Sequence, residues 1–245
     1  AVWLTGKILR KQQWNERLYS LCIACEFGDF EAGQFVRIAL DIDGERVARP
    51  YSLVNRPGEN LEIFFNIVPQ GPLSSRLAGL EEGDEIFVTD KANGFLIVDE
   101  VPECKHLWML ATGTGLGPFL SILKTEKTWQ RFEKIVLAYS VRDASELSYQ
   151  QQIDEIRMQY PDKFVFVPFV TREAVEGAIN ARIPAGIENG ALEKRAEITI
   201  NENDSHVMMC GNSAMISSVS EVLEKRGMRK HRRREPGHIS TEKYH

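Results

Sequence analysis

The chain has 245 residues, 43% of them hydrophobic, and a formal net charge of -5. That length and apolar content suffice for two modest domains with separate cores. Net acidity excludes a general nucleic-acid binder, and no apolar run reaches the roughly 20 residues that a membrane span needs. Ala1 to Lys7 shows no basic stretch followed by an apolar one, so no signal peptide is expected. Of the four cysteines only Cys22 and Cys25 stand close together, and Cys104 and Cys210 make no second such pair. Ordinary strand thiols in a reducing, cytoplasmic compartment are expected, with no metal site.

The first hundred residues read as β structure. Short apolar stretches recur at 7–10, 18–26, 35–41, 61–68 and 85–89. Turn signals part them: Phe27-Gly28-Asp29, Asp43-Gly44, Pro57-Gly58 and Glu82-Gly83-Asp84. Regular short strands with such turns point to a sandwich or barrel. One short helix is expected over 73–80, capped by Ser74 and Ser75. The pattern changes near Val101-Pro102. From there a continuous apolar strand at 107–111 leads into a helix at 117–123 with Pro118 in its first turn. Strand 134–140, helix 148–160, strand 164–170, strand 206–210 and helix 213–226 follow. This alternation predicts a doubly wound α/β parallel sheet, with a domain boundary near residue 100.

Five motifs carry chemistry. Arg49-Pro50-Tyr51-Ser52 lies in a β context. A flavin needs a flat apolar surface, a polar contact near N5 and a cation for its pyrophosphate; Tyr51, Ser52 and Arg49 can supply these. The same residues would also serve a plain barrel. Gly71-Pro72-Leu73-Ser74-Ser75 precedes a helix, where backbone N–H groups favour phosphate; a simple cap reads the same way. Thr112-Gly113-Thr114-Gly115-Leu116-Gly117-Pro118 joins a buried strand to a helix, the context of a dinucleotide loop. Its spacing is not the usual G-x-G-x-x-G, because Pro118 stands where the last glycine would be. At the end of the next strand comes Arg142, where NAD sites usually place an acid. A cation there suits the 2′-phosphate of NADP, with Arg172 and Arg182 available to complete a clamp; Asp143 follows at once and counts against it. Last, Met208-Met209-Cys210-Gly211-Asn212 closes the final strand. That puts a thiol and a glycine at the carboxyl edge of a parallel sheet, where ligands bind, although a buried structural cysteine fits too.

In this order and spacing the motifs resemble the ferredoxin–NADP reductase family almost end to end. The nearest resemblance is to the bacterial ferredoxin/flavodoxin–NADP reductases of the short, FAD-binding type. The runs Leu107 to Gly115, His206 to Asn212 and Pro236 to Tyr244 carry it. The resemblance implies an N-terminal antiparallel β-barrel for FAD over 1–100. It implies an NADP-binding α/β domain over 101–245, with a tail returning to the FAD. It places Arg49, Pro50, Tyr51 and Ser52 on the flavin. Phe64, Phe65, Asn66, Gly71, Leu73, Ser74 and Thr112 line the rest of that site, with Tyr244 and His245 where relatives have an aromatic Tyr-Trp pair. It assigns Thr112, Gly113, Thr114, Gly115, Cys210 and Gly211 to the nicotinamide and pyrophosphate, and Arg142, Arg172 and Arg182 to the 2′-phosphate. The acidic catalytic residue of the plastid branch has no obvious counterpart.

Hydride transfer needs nicotinamide C4 and flavin N5 face to face, so Ser52 and Cys210 are the candidate catalytic contacts. The implied activity exchanges hydride with NADP(H) and single electrons with ferredoxin or flavodoxin. Both carriers are acidic, and the block Lys225, Arg226, Arg229, Lys230, Arg232, Arg233 and Arg234 is the expected docking surface. A solvated surface segment is the plainer reading of that block. A monomer without nucleic-acid or membrane partners is expected. The alternative function is the reductase component of an oxygenase, or an NADPH-dependent flavin reductase.

Overall fold

Strand β1 (Trp3–Gln13) is longer than its apolar stretch suggests, because a register shift between Ile8 and Arg10 bulges the strand without ending it. It pairs with β2 (Leu18–Ala24) on one side and β6 (Glu85–Thr89) on the other. With β3 (Phe35–Ile42), β4 (Glu45–Ser52) and β5 (Leu61–Asn66) these form a six-stranded sheet in the order β4-β3-β6-β1-β2-β5. All its pairings are antiparallel. A single antiparallel bridge, Leu53 to Ile63, ties the two ends together, so the expected barrel closes at one point rather than along a full ladder. The described residues of this computed structural model run from Ala1 to Tyr244.

The Asp43-Gly44 turn forms as expected, with φ of 51° and 81°, the left-handed pair that two-residue hairpins favour. The strand it leads into, β4, is a sheet end whose residues are mostly exposed or half-buried, so it offered no apolar run to read. Pro50 is tolerated there because an edge strand need not donate on both sides. Ile8, Leu21, Ile23, Val36, Ile38, Ile63, Ile86 and Val88 fill the core beneath the sheet.

The second sheet has five parallel strands in the order β11-β10-β7-β8-β9. These are β7 (His106–Thr112), β8 (Lys134–Val141), β9 (Phe164–Val170), β10 (Ser205–Gly211) and β11 (Ile239–Lys243). The chain runs outward from β7 through β8 to β9, then crosses back to β10 and β11. The order therefore reverses between β7 and β10, the place where open α/β sheets bind ligands. Helices α5 (Ile183–Glu188), α6 (Ala191–Ala196) and α7 (Ser213–Glu224) cover one face. Their Ile183, Ile187, Leu192, Val219 and Leu223 pack with Trp108, Leu110, Val136, Ala138, Val207 and Met209 of the strands. Short α5 and α6, like α3 (Glu126–Arg131) and strand β11, were not foreseen, because six or fewer residues show too little periodicity.

Helix α4 (Gln150–Gln159) starts later than expected. Tyr149 is buried in the left-handed region at φ 58°, and the Ser148 hydroxyl is spent on the Glu146 carbonyl at 3.0 Å, so neither can join the helix. Helix α1 (Ser74–Ala78) is only five residues long. Ser74 does not cap it: its hydroxyl accepts from the Val68 N–H at 2.8 Å and closes the preceding loop. Helix α7 ends at Glu224 rather than Arg226, and Gly227 at φ 84° turns the chain away.

The chain divides into two compact units. One comprises Ala1–Ile97 and Gly117–Thr125; the other comprises Val98–Leu116 and the described residues from Glu126 on. Helix α2 (Leu116–Leu123) thus follows a strand of the second unit but belongs, from Gly117 on, to the first. It is apolar all round and buried along its length, as a helix inside a core must be. Its Ser121 hydroxyl donates to the Asn55 carbonyl at 2.7 Å, and a Cβ on Gly117 would touch Val54 at 3.5 Å.

Candidate functional site

In the first unit, β4 delivers Arg49, Pro50, Tyr51 and Ser52 at its end. Arg49 and Pro50 are exposed, Tyr51 is half-buried and Ser52 is buried. The Arg49 guanidinium donates to the Ala48 carbonyl at 2.7 Å. The Tyr51 ring meets Phe65 edge-on at 6.0 Å, and burial pushes its hydroxyl up to about 12, so it stays a neutral phenol. The bridge from Leu53 to Ile63 brings this segment beside β5 with Phe64, Phe65 and Asn66. Phe65 and Leu73 lie in the core, so their side chains support this surface from beneath. Asn66 is half-buried. Gly71 closes a tight turn onto the Val68 carbonyl at 2.9 Å, and a Cβ there would press on Val68 at 3.1 Å.

In the second unit, the loops after β7 and β10 meet at the switch point. The approach is close enough to require glycine. A Cβ on Gly115 would lie 2.2 Å from the Cys210 carbonyl oxygen, and one on Gly211, at φ 131°, 2.2 Å from the Thr112 hydroxyl. That hydroxyl accepts from the Asn212 N–H at 2.8 Å, while the Asn212 side chain caps α7 by accepting from Ala214 and Met215. Gly113 is different. It sits at φ 54°, and an added Cβ would meet nothing within 4 Å, so this side of the loop is open to a ligand. Thr114 is half-buried on the same turn. A loop with an open backbone beside a reversed strand order is what a dinucleotide pyrophosphate requires.

Cys210 ends the apolar run of β10 and is fully buried. Parallel pairing sets it opposite Glu242 of β11. Burial, and then the Glu242 carboxylate, push its thiol well above the usual range; a hydrogen bond with the Tyr244 side chain opposes them. The group is a neutral thiol at physiological pH, suited to packing and orientation rather than to nucleophilic attack. Tyr244 is anchored by its own N–H donating to the Gly211 carbonyl at 2.8 Å. No obvious counterpart of the plastid branch's acidic residue was legible in the sequence, and the pairing puts the Glu242 carboxylate beside this thiol. The sequence reading missed it because β11 was not recognised, so nothing indicated that a residue 32 positions on would lie beside Cys210. His245, placed on the flavin by resemblance, lies outside the described residues.

The arginines follow β8 and β9. Pairing continues past the strand ends: Thr171 N–H donates to the Val141 carbonyl at 3.1 Å, and Arg172 N–H to the Arg142 carbonyl at 2.9 Å. The two arginines are thus neighbours by main-chain geometry, both exposed. Asp143 N–H donates to the Glu146 carboxylate at 3.0 Å, which shapes the turn after Arg142. Below it the Tyr139 hydroxyl, fully buried, donates to the Glu146 carbonyl at 3.1 Å and accepts from the Ser148 N–H at 3.3 Å. Arg182 is exposed at the start of α5. Among the described residues no cluster of His, Cys, Asp or Glu could hold a metal ion.

A curled antiparallel sheet with an Arg-Pro-Tyr-Ser edge, and a parallel sheet with a glycine loop at its switch point, define a two-unit flavin and nicotinamide oxidoreductase. The oxidoreductase FAD-binding domain family matches residues 11–90, and the oxidoreductase NAD-binding domain family residues 109–221. The chain is 46% identical over 217 residues to the flavodoxin/ferredoxin–NADP reductase of Escherichia coli, covering 88% of each chain. It is 40% identical to the protein of that name from Buchnera aphidicola subsp. Schizaphis graminum, covering 99% of this chain and 98% of the other. It also matches the crystal structure of a ferredoxin NADP+ reductase from Neisseria gonorrhoeae with bound FAD and NADP, with a TM-score of 0.94, 32% identity and 99% of each chain covered. The chain belongs to the flavodoxin/ferredoxin–NADP reductase family.

Proposed function

We propose that this protein exchanges hydride with NADP(H) and single electrons with a ferredoxin or flavodoxin, using one non-covalent FAD. The relatives' names supply the carrier class. The observation that carries the cofactor choice is the main-chain bond joining Arg172 to Arg142 at the carboxyl edge of the sheet. It puts two arginines, both exposed, side by side in the main chain where an NAD enzyme would place an acid. Arg49, Tyr51 and Ser52 fit the flavin: an exposed cation, a neutral ring face and a buried hydroxyl. Bound FAD supplies the step from two-electron to one-electron transfer. The chain's own residues hold and orient. Gly113 leaves room for the pyrophosphate, Cys210 packs against the nicotinamide, and Tyr244 fixes the thiol. Four free cysteines fit a reducing, cytoplasmic compartment.

The test is Arg142→Ala in steady-state turnover with NADPH and with NADH. Each charge-assisted contact contributes about 1.5–3 kcal/mol, or roughly one to two decades of affinity. The NADPH Michaelis constant should rise by that factor and the preference for NADPH should fall with it. Equal losses for both cofactors would remove Arg142 from phosphate recognition.

The basic block divides into two classes. Arg226 is bound to the Glu193 carboxylate at 2.9 Å and to the Ile200 carbonyl at 3.0 Å. Arg229 donates to the Pro236 carbonyl at 2.8 Å, and Arg233 pairs with Glu100 at 3.3 Å. Lys225, Lys230, Arg232 and Arg234 are exposed. The block precedes β11, whose first residue Ile239 pairs with Val207 while Lys243 pairs with Gly211. Four residues of strand, about 13 Å, therefore separate even the start of β11 from the Gly211 edge. We assign these exposed cations to steering an acidic carrier by their field.

A further inference from the structure

The loop that carries Arg172 leaves β9, runs over the surface and returns at Ile179. There it pairs beside β9: Val170 N–H donates to the Ile179 carbonyl at 3.0 Å, and Ile179 N–H to the Pro168 carbonyl at 2.9 Å. Its residues 172–174, 176 and 177 are exposed, so apolar burial does little to order it. At its far end the Arg195 guanidinium holds the Gly177 carbonyl. The middle is held differently. The Asn180 side-chain amide donates to the Val170 carbonyl at 2.9 Å and to the Glu173 carbonyl at 3.0 Å, and lies 3.4 Å from the Thr171 carbonyl. An amide nitrogen has two hydrogens, so the two short contacts are its bonds and the third is shared. These carbonyls flank Arg172 on both sides. The Arg172 N–H is meanwhile taken by the Arg142 carbonyl. The main chain at Arg172 is thereby fixed before any ligand arrives, although no side chain of the loop is buried enough to fix it.

We infer that Asn180 is a positioning residue for cofactor selectivity: its amide staples the main chain around Arg172, so that the guanidinium meets a 2′-phosphate without first ordering the loop. This rests on the reading that Arg172 holds the 2′-phosphate. A pre-ordered loop binds more tightly because the competent conformation is already populated. The benefit is confined to ligands that carry the phosphate. A ligand without it makes no use of Arg172 and is indifferent to the staple. A purely structural role for Asn180 would change both kinds of ligand alike, or thermal stability alone.

The experiment is calorimetric titration of the flavin-loaded protein with adenosine 2′,5′-bisphosphate and with adenosine 5′-monophosphate. Asn180→Ala should weaken the bisphosphate about fivefold, the factor that one net hydrogen bond commands, and leave the ratio for the monophosphate near one. Asn180→Gln, which keeps the donors on a longer arm, should recover part of the loss. Should Asn180→Ala fail to fold, Asn180→Ser keeps one donor and should show a smaller loss of the same selectivity. Arg172→Ala runs alongside. If Arg172→Ala weakens the bisphosphate while Asn180→Ala and Asn180→Ser do not, the staple has no positioning role. If Arg172→Ala leaves the bisphosphate unchanged, the phosphate assignment and this inference fall together.

Discussion

Gly115→Ala tests the switch point most directly. The new Cβ would stand 2.2 Å from the Cys210 carbonyl oxygen, 2.6 Å from its carbon and 3.0 Å from the Gly211 nitrogen, where ordinary contact begins at 3.4 Å. All three atoms are backbone, in a strand paired on both sides with β7 and β11, so no flexible side chain can yield. The loop and the end of β10 must part by about 1 Å, a displacement that can cost roughly 10²-fold in a reaction that depends on alignment. Stopped-flow reduction of the bound flavin by saturating NADPH measures it. The rate should fall by about that factor while flavin content stays full, since the Arg49 to Ser52 segment is untouched. Gly113→Ala is the control. Its Cβ meets nothing within 4 Å, and the only cost is the left-handed backbone at φ 54°, about 1–2 kcal/mol of stability. A normal rate for Gly115→Ala, or equal losses in both variants, would show that the closeness of these loops does not govern hydride transfer.

Cys210→Ser should slow flavin reduction more than it weakens NADP+ binding, because a neutral thiol held by Tyr244 orients rather than reacts; an unchanged rate would make it a core cysteine only. Arg49→Ala should lower flavin retention through dialysis, by removing a charge-assisted contact, and full retention would exclude that role. Charge reversal at Lys230 or Arg232 should lower the second-order rate with an acidic carrier at low salt, and the difference should vanish at high salt, where exposed charges are screened beyond about 3 Å; a loss that persists at high salt would contradict steering. Stability should decline as pH falls from about 6.5 toward 3. Burial, then His231 and His238, hold His206 down at about 3, so the unfolded chain binds the extra proton in that window. The slope from this residue approaches about 1.4 kcal/mol per pH unit. His206→Gln should flatten the acid limb of a melting-temperature profile, and an unaltered limb would mean that other groups govern it.

Much of the fold was legible because long buried strands announce themselves. The strand at 164–170 and the one at 85–89 were read to the residue, and β7, β8 and β10 within one residue at either end. Those segments are apolar and largely buried over most of their length. What stayed hidden had local reasons. Strand β4 is a half-exposed edge, and β11 alternates Ile239 with polar residues over only five positions. Helix α2 was read correctly in extent, but its partner was not. An apolar run declares that it is buried and not what buries it, so only the structure joins Ser121 to Asn55.

The candidate site divides along the same line. Gly115 and Gly211 could be read from sequence because close backbone approach demands glycine whatever surrounds it, and Gly113 because it takes a left-handed φ of 54°. The partners of Cys210 could not, since Glu242 and Tyr244 reach it through a strand pairing that has no local signature. The basic block shows the converse. Seven cations in ten residues are conspicuous, and their nearness in sequence to the tail suggests nearness to the chemistry. Direction overrules that suggestion. In a parallel sheet every crossover enters at the amino edge, so the segment between α7 and β11 must lie a full strand away from the carboxyl edge where Cys210 and Gly211 stand. Two of those cations are then paired with carboxylates, Arg226 with Glu193 and Arg233 with Glu100. Charge count located the block; strand direction places it at the amino edge of the sheet.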